Sequence, residues 1–148
     1  MTYTVIARCA RTGQLGIGIA TYSLAVGGYC PAIQGGLGAV STQAFVNLKL
    51  GSLALRLLEQ GFAPAKVMAE LSDDDANITY RQIGIVDGSG QTAVHTGDNT
   101  RPWSGHLTGD RFITVGNVLA GEAVLAAMAD AFAASAGSDL DERLLLAL

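Results

Sequence analysis

Thr2-Tyr3-Thr4-Val5-Ile6-Ala7-Arg8-Cys9, then Leu15-Gly16-Ile17-Gly18-Ile19-Ala20-Thr21-Tyr22, flank Arg11-Thr12-Gly13-Gln14 at the start of the chain. Two apolar runs rich in β-branched residues around a short polar, glycine-containing segment read as a β-hairpin. The runs show little polar alternation, so a sheet built from them must be covered on both faces. Gly16, Gly18 and Ala20 fall on one face of the second strand, a low surface that lets another layer approach closely. With the turn centred on 11–14, Thr2 lies opposite Ser23 at the open end of the hairpin.

Further along, Ala39–Ala44 reads as a third strand, and Gly27, Gly28, Gly35, Gly36 and Gly38 break up the stretch before it. Leu50, Leu53, Ala54, Leu57 and Leu58 then share one helical face, with Gly61 placed as a C-terminal cap. Pro64 suits the first turn of a second helix carrying Val67, Met68 and Leu71. Tyr80–Val86 and Gln91–His95 form another hairpin around Asp87-Gly88-Ser89-Gly90, and Arg111–Val115 is a further strand. A third helix spans Glu122–Ala134, and Ser138 with Asp141 resembles a capping box opening a fourth. Strands, two helices, strands, two helices is a segregated order, which predicts an α+β domain with antiparallel sheet layers and helices outside.

Composition narrows the class. With 148 residues, 49% hydrophobic and only 15% charged, the chain makes one domain with more apolar surface than a soluble protein usually carries. Its mean hydropathy is +0.34. No apolar run approaches the roughly 20 residues that span a bilayer, and the first residues do not resemble a signal peptide. A formal charge of −4 disfavours nucleic acid, which selects a basic footprint. Two cysteines fit a reducing, cytoplasmic setting. The surplus apolar residues predict a homo-oligomer. The segment Leu144–Leu148 ends the sequence on an apolar turn, which suggests a docked segment or a longer chain.

The chemistry-bearing residues are few. Methionine is commonly trimmed before a small residue, and removal of Met1 would give Thr2 a hydroxyl and a free α-amine on one residue. Such an amine titrates near 7.7–8.0 in general, close to the best pH for a general base. Thr with its own amine is an established activated nucleophile. Ser41, Thr42, Gln43 and Asn47 stand between the third strand and the first helix, fitting either an oxyanion site or ordinary strand and cap positions. Asn117 has the same ambiguity. Trp103-Ser104-Gly105-His106 places an aromatic and a histidine in a loop, where binding residues often sit. Arg81 or Arg101 could hold a substrate carboxylate. Cys30 is the other possible nucleophile, without a basic neighbour to lower its pKa. His95 and His106 lack partners at metal-ligand spacing, Asp73-Asp74-Asp75 reads as a solvated turn, and Gly35-Gly36-Leu37-Gly38 lacks the strand-to-helix setting of a phosphate loop. No metal or cofactor is expected.

Several strings together resemble one family. Thr4-Val5-Ile6-Ala7-Arg8, Thr12-Gly13-Gln14-Leu15-Gly16, Ala25-Val26-Gly27 and Gly38-Ala39-Val40-Ser41-Thr42-Gln43-Ala44 begin the pattern. Arg81-Gln82-Ile83-Gly84-Ile85-Val86-Asp87, Thr96-Gly97, Trp103-Ser104-Gly105-His106 and Gly116-Asn117-Val118-Leu119-Ala120-Gly121 complete it. They are similar, over the whole chain, to the uncharacterised domain of unknown function 1028. The resemblance implies the N-terminal nucleophile hydrolase fold, a four-layer αββα sandwich shared with proteasome subunits. It implies Thr2 as nucleophile, amides from Gln43 through Ala44, Phe45 and Asn47 as the oxyanion site, Asn117 as support for the amine, and Ser23 as a contact of Thr2. It also implies further elements beyond Leu148. The expected function is hydrolysis of a small amide or peptide-like substrate, with Arg81 and His106 as substrate contacts. The second reading is a non-catalytic binding or assembly subunit. It is motivated by Lys49 and Lys66, the only lysines, which fall in helices and not beside Thr2 as in proteasome-type sites, and by the blocked amine if Met1 stays.

Overall fold

The computed structural model describes residues 1–148. β1 (Thr2–Arg8) and β2 (Leu15–Thr21) form the opening hairpin, followed by β3 (Pro31–Gln34) and β4 (Gly38–Ala44). Helices α1 (Leu48–Glu59) and α2 (Pro64–Asp74) come next, then β5 (Arg81–Asp87), β6 (Thr92–Thr96), β7 (Gly105–Gly109) and β8 (Phe112–Asn117). The chain ends in α3 (Glu122–Ala134) and α4 (Leu140–Leu146). Two four-stranded antiparallel sheets result, one ordered β2-β1-β8-β7 and the other β3-β4-β5-β6. α3 and α4 cover the first sheet and α1 and α2 the second, while the remaining faces of the two sheets meet each other. The architecture is a mixed αββα sandwich.

Period-two alternation sorts every strand between two layers. Val5 and Ala7 of β1 join Phe112, Leu125, Met128 and Phe132 under α3 and α4. Ile83 and Ile85 of β5 join Val40, Leu50, Leu58 and Leu71 under α1 and α2. Ile6, Ala39, Val86, Ile113 and Val115 point the other way and form the layer between the sheets. Ile6 packs there against Gly84, where an added Cβ would lie 2.5 Å from the Ile6 Cδ1. The small face of β2 does admit a close layer: Gly16 and Gly18 lie under Leu140, Leu144 and Leu148 of the α4 region.

Local signals account for most boundaries. Gly61 (φ +87°) ends α1 in a Schellman arrangement, its N–H donating to Leu58 O at 2.9 Å and that of Phe62 to Leu57 O at 3.2 Å. Pro64 opens α2. Four expectations need correction. The hairpin turn is wider, so Thr2 pairs with Thr21 and not Ser23; a two-residue slip keeps every side chain on its face. The glycine-broken stretch contains β3, and Gly105–Gly109 is the edge strand β7, which puts His106 on a strand and not in a loop. Short edge strands with glycines carry weak local signals. The strand expected over Arg111–Val115 runs over Phe112–Asn117, so Asn117 is the last residue of β8. Finally, α4 has no capping box: its N-cap is Asp139, whose carboxylate pairs with Arg11 at 2.6 Å.

Candidate functional site

Thr2, Thr4 and Ile6 of β1 alternate onto the inter-sheet face, and along that file the layer changes from apolar to polar. Below Ile6 it is hydrocarbon; above it lie Thr4, Ser41, Gln43, Gln82 and Asn117, all buried. Buried polar groups are stable only when partnered, and these partner one another across the two sheets. Thr4 Oγ1 donates to Gln43 Oε1 at 2.6 Å. Gln43 Nε2 donates to Gln82 Oε1 at 3.2 Å, and Asn117 Nδ2 donates to the same oxygen at 2.9 Å. Gln82 Nε2 donates to Gly116 O at 2.7 Å and to Thr96 Oγ1 at 3.2 Å. Gln82 thus ties β5 to β8 and fixes the Asn117 amide.

A cleft of about 180 Å³ opens above this network. Thr2 and Asn117, cross-strand partners in β1 and β8, form its floor with Ala44. Tyr22, Ser23, Phe45, Val118, Met1 and Arg101 complete the lining. Of the sequence-derived candidates, the cleft therefore gathers Thr2, Ser23, Asn117, Ala44, Phe45 and Arg101. Two of its residues, Ala44 (φ +69°) and Val118 (φ +55°), hold left-handed backbone without being glycine. Such strain concentrates at functional sites, and for a β-branched valine it is a marked outlier.

Thr2 Oγ1 lies 3.0 Å from Thr21 Oγ1. Thr21 donates its one proton to Met1 O at 2.9 Å, so Thr2 is the donor in the hydroxyl pair. Ser23 N also donates to Thr21 Oγ1, at 3.2 Å. Thr21, which the narrower turn hid, is the side chain that orients the Thr2 hydroxyl. Burial first, and the charge of Arg101 second, lower the pKa of the Met1 amine below its ordinary value. Phe45 N–H donates to Tyr80 O at 3.3 Å, and Thr42 N–H to Cys30 O at 3.0 Å. Alternation turns the Ala44 amide to the same side of β4 as that of Thr42, beyond the end of β3, so Ala44 and not Phe45 has the free donor.

The other candidates lie elsewhere. Gln43 is in the network beneath the cleft. Asn47 is the N-cap of α1, accepting from Lys49 N–H at 3.2 Å and donating to Asp75 at 3.3 Å. Arg81 pairs with Asp75, Nε to Oδ2 at 2.8 Å, and donates to Phe45 O, so it anchors the turn bearing Ala44 and Phe45. The Arg81 hydrogen bond chiefly lowers the Asp75 pKa. His106 bonds Thr96 Oγ1 through Nδ1 at 2.9 Å, and burial, then His95, lower its pKa. Cys30 is buried and its thiol is pushed up to about 11 by burial, which removes it as a nucleophile near neutral pH. No group of three or more His, Cys, Asp or Glu side chains could hold a metal ion. No helix is long and apolar enough to cross a membrane.

The chain is similar to a crystal structure of protein SPO2555 from Silicibacter pomeroyi, itself assigned to DUF1028, with a TM-score of 0.94 and 32% identity over 99% of this chain. It spans 65% of that protein's length. No curated protein matches it. The model of the family of unknown function DUF1028 matches residues 2–148, and the chain belongs to that family.

Proposed function

We propose that this protein is an amidohydrolase of the N-terminal nucleophile type, with Thr2 as the nucleophile once Met1 is removed. The observation that carries this reading is the gathering of Thr2, Asn117 and Ala44 in one cleft, above the polar end of an otherwise apolar inter-sheet layer. Two antiparallel sheets between helix pairs is also the layering that such enzymes use. Loss of Met1 frees Thr21 Oγ1 from Met1 O, so Thr21 can hold the new amine or the hydroxyl. The Thr2 amine takes the hydroxyl proton as Oγ1 attacks the carbonyl carbon of a small amide. The carbonyl oxygen, now negative, is met by the Ala44 amide, and Asn117 is positioned to support the amine. The C–N bond breaks, and the leaving amine departs with the proton held by the Thr2 ammonium. Water, deprotonated by the same amine, then attacks the Thr2 ester and releases the carboxylic acid. Acid–base help of this kind supplies about 10²–10⁴-fold.

The test begins with protein whose mass shows loss of Met1. Turnover of small p-nitroanilides should be retained at a reduced level in Thr2→Ser and be lost in Thr2→Ala. Undiminished turnover in Thr2→Ala would remove Thr2 from the mechanism. The second reading, a binding subunit, rests on the lack of a lysine in the cleft. It gains if the trimmed protein binds small acyl compounds, turns none over, and binds them equally well as Thr2→Ala.

A further inference from the structure

Arg101 stands out among the seven arginines of the chain. Arg8 donates to Gly88 O, Arg11 and Arg111 pair with Asp139 and Asp110, Arg81 pairs with Asp75, and Arg143 sits over the Phe132 ring. Only Arg56 and Arg101 make no ion pair and no side-chain hydrogen bond. Arg56 lies on α1, remote from Thr2. Arg101 lines the Thr2 cleft, and its loop is held there by Val118 N–H donating to Arg101 O at 3.1 Å, next to Asn117.

The cleft carries no carboxylate. Its one charged side chain is the Arg101 guanidinium, in a protein with 13 acidic and 9 basic residues. A guanidinium left without an ion pair beside Thr2, in a chain richer in acid than base, is free to take an anionic ligand. A guanidinium presents a planar fork that fits a carboxylate through two parallel N–H···O bonds. Size restricts the ligand further. At about 180 Å³ the cleft is small, which favours a short acyl chain between Thr2 and Arg101.

We propose that Arg101 recognises a carboxylate on the acyl donor, and that the substrate is a short amide whose acyl part carries a second, free acid group. This rests on the Thr2 hydrolase reading and names the class of substrate for that site. Arg101 binds the substrate carboxylate and thereby sets the amide carbonyl against Thr2 Oγ1. Phe45 and Val118, exposed apolar residues of the lining, are available to the rest of the substrate.

The experiment uses two matched compounds and the Met1-free protein. Succinyl p-nitroanilide has the free acid; its methyl ester does not. The acid should be turned over with a kcat/KM at least about tenfold above the ester, the size of one charge-assisted hydrogen-bonding pair. Arg101→Ala should collapse that ratio to near one, mainly through KM for the acid, and Arg101→Lys should restore part of it. Equal turnover of acid and ester by the parent protein would overturn the carboxylate assignment while leaving the hydrolase reading intact. If neither compound is turned over, the hydrolase reading fails, and binding decides the Arg101 site alone. Sodium succinate, titrated against succinamide at constant ionic strength and followed by NMR, should bind selectively and weaken at least about tenfold in Arg101→Ala. Succinate binding that is absent, or unchanged in Arg101→Ala, would overturn the proposal.

Discussion

Replacing Gln82 by leucine should unfold the molecule more readily than any single change at the cleft surface. Leucine fills a similar volume, so the substitution isolates lost hydrogen bonding from cavity formation. Gln82 is fully buried, and its Oε1 is the acceptor for both Gln43 Nε2 and Asn117 Nδ2. Gln43 keeps a long contact to Val115 O at 3.5 Å, whereas Asn117 Nδ2 has no second acceptor. Gly116 O loses a donor at 2.7 Å. Each orphaned buried group costs about 1–3 kcal/mol, so one donor and one acceptor give roughly 2–6 kcal/mol. That is a large part of the 5–15 kcal/mol by which a domain is typically stable, roughly.

Urea unfolding followed by the fluorescence of Trp103, the sole tryptophan, reads this directly. With a slope of about 2 kcal/mol per molar, the midpoint should fall by roughly 1–3 M at constant slope. Asn117→Ala in the same background should cost less than it does alone, because the donor it removes is already unpartnered; the coupling should be about 1 kcal/mol or more. A midpoint shift under about 0.5 M, or strict additivity of the two changes, would mean that the network does not hold Asn117 and that the account of the site is wrong.

Two further outcomes follow from packing and charge. Gly84→Ala should cost about 1–3 kcal/mol, because its Cβ would meet Ile6 Cδ1 at 2.5 Å between the sheets; thermal unfolding should show Ile6→Val, which lacks that methyl, recovering part of the loss. Asp75→Asn should cost about 3 kcal/mol at neutral pH, the pair with Arg81 being largely buried. Because the folded Asp75 pKa lies below its ordinary 3.8, its contribution is complete above that value and is lost as pH falls through the folded value. The gap between parent and Asp75→Asn should therefore narrow on acidification below pH 3.8, and a gap that stays constant would exclude Arg81 pairing as its source.

What was readable in advance followed the strength of local signals. Apolar faces at helical spacing, with Gly61 and Pro64 as boundaries, place α1 and α2 to within a few residues, and the small face of β2 announces a close layer before α4 is known to supply it. Edge strands β3 and β7 were not readable, since they are short, glycine-bordered and half exposed, and their pairing is fixed by β4 and β8 rather than by their own residues. The cleft is partly legible: Thr2, Ser23, Ala44, Phe45, Arg101 and Asn117 converge there. Asn47 and Arg81 were plausible by residue type, but one Asp75 carboxylate claims both, a partnership across 28 and 6 residues that no spacing reveals.

Gln82 shows most plainly why the network escaped notice. In sequence it is one polar residue at the head of an apolar strand, where a solvent-facing position is the ordinary expectation. Its meaning comes from period-two alternation applied to four strands at once: Thr4, Gln43, Gln82 and Asn117 each occupy the inter-sheet phase, and each lies at the same end of its strand. A strand that put Thr2 beside Asn117 with the wrong phase would send Ile6 toward the helices and Val5 between the sheets. The alternation that builds the hydrocarbon layer around Ile6 and Ile113 is therefore the same one that brings Thr2 over buried amides. A one-residue insertion within β1 should abolish both together, with loss of the cooperative unfolding transition rather than a selective loss of the site.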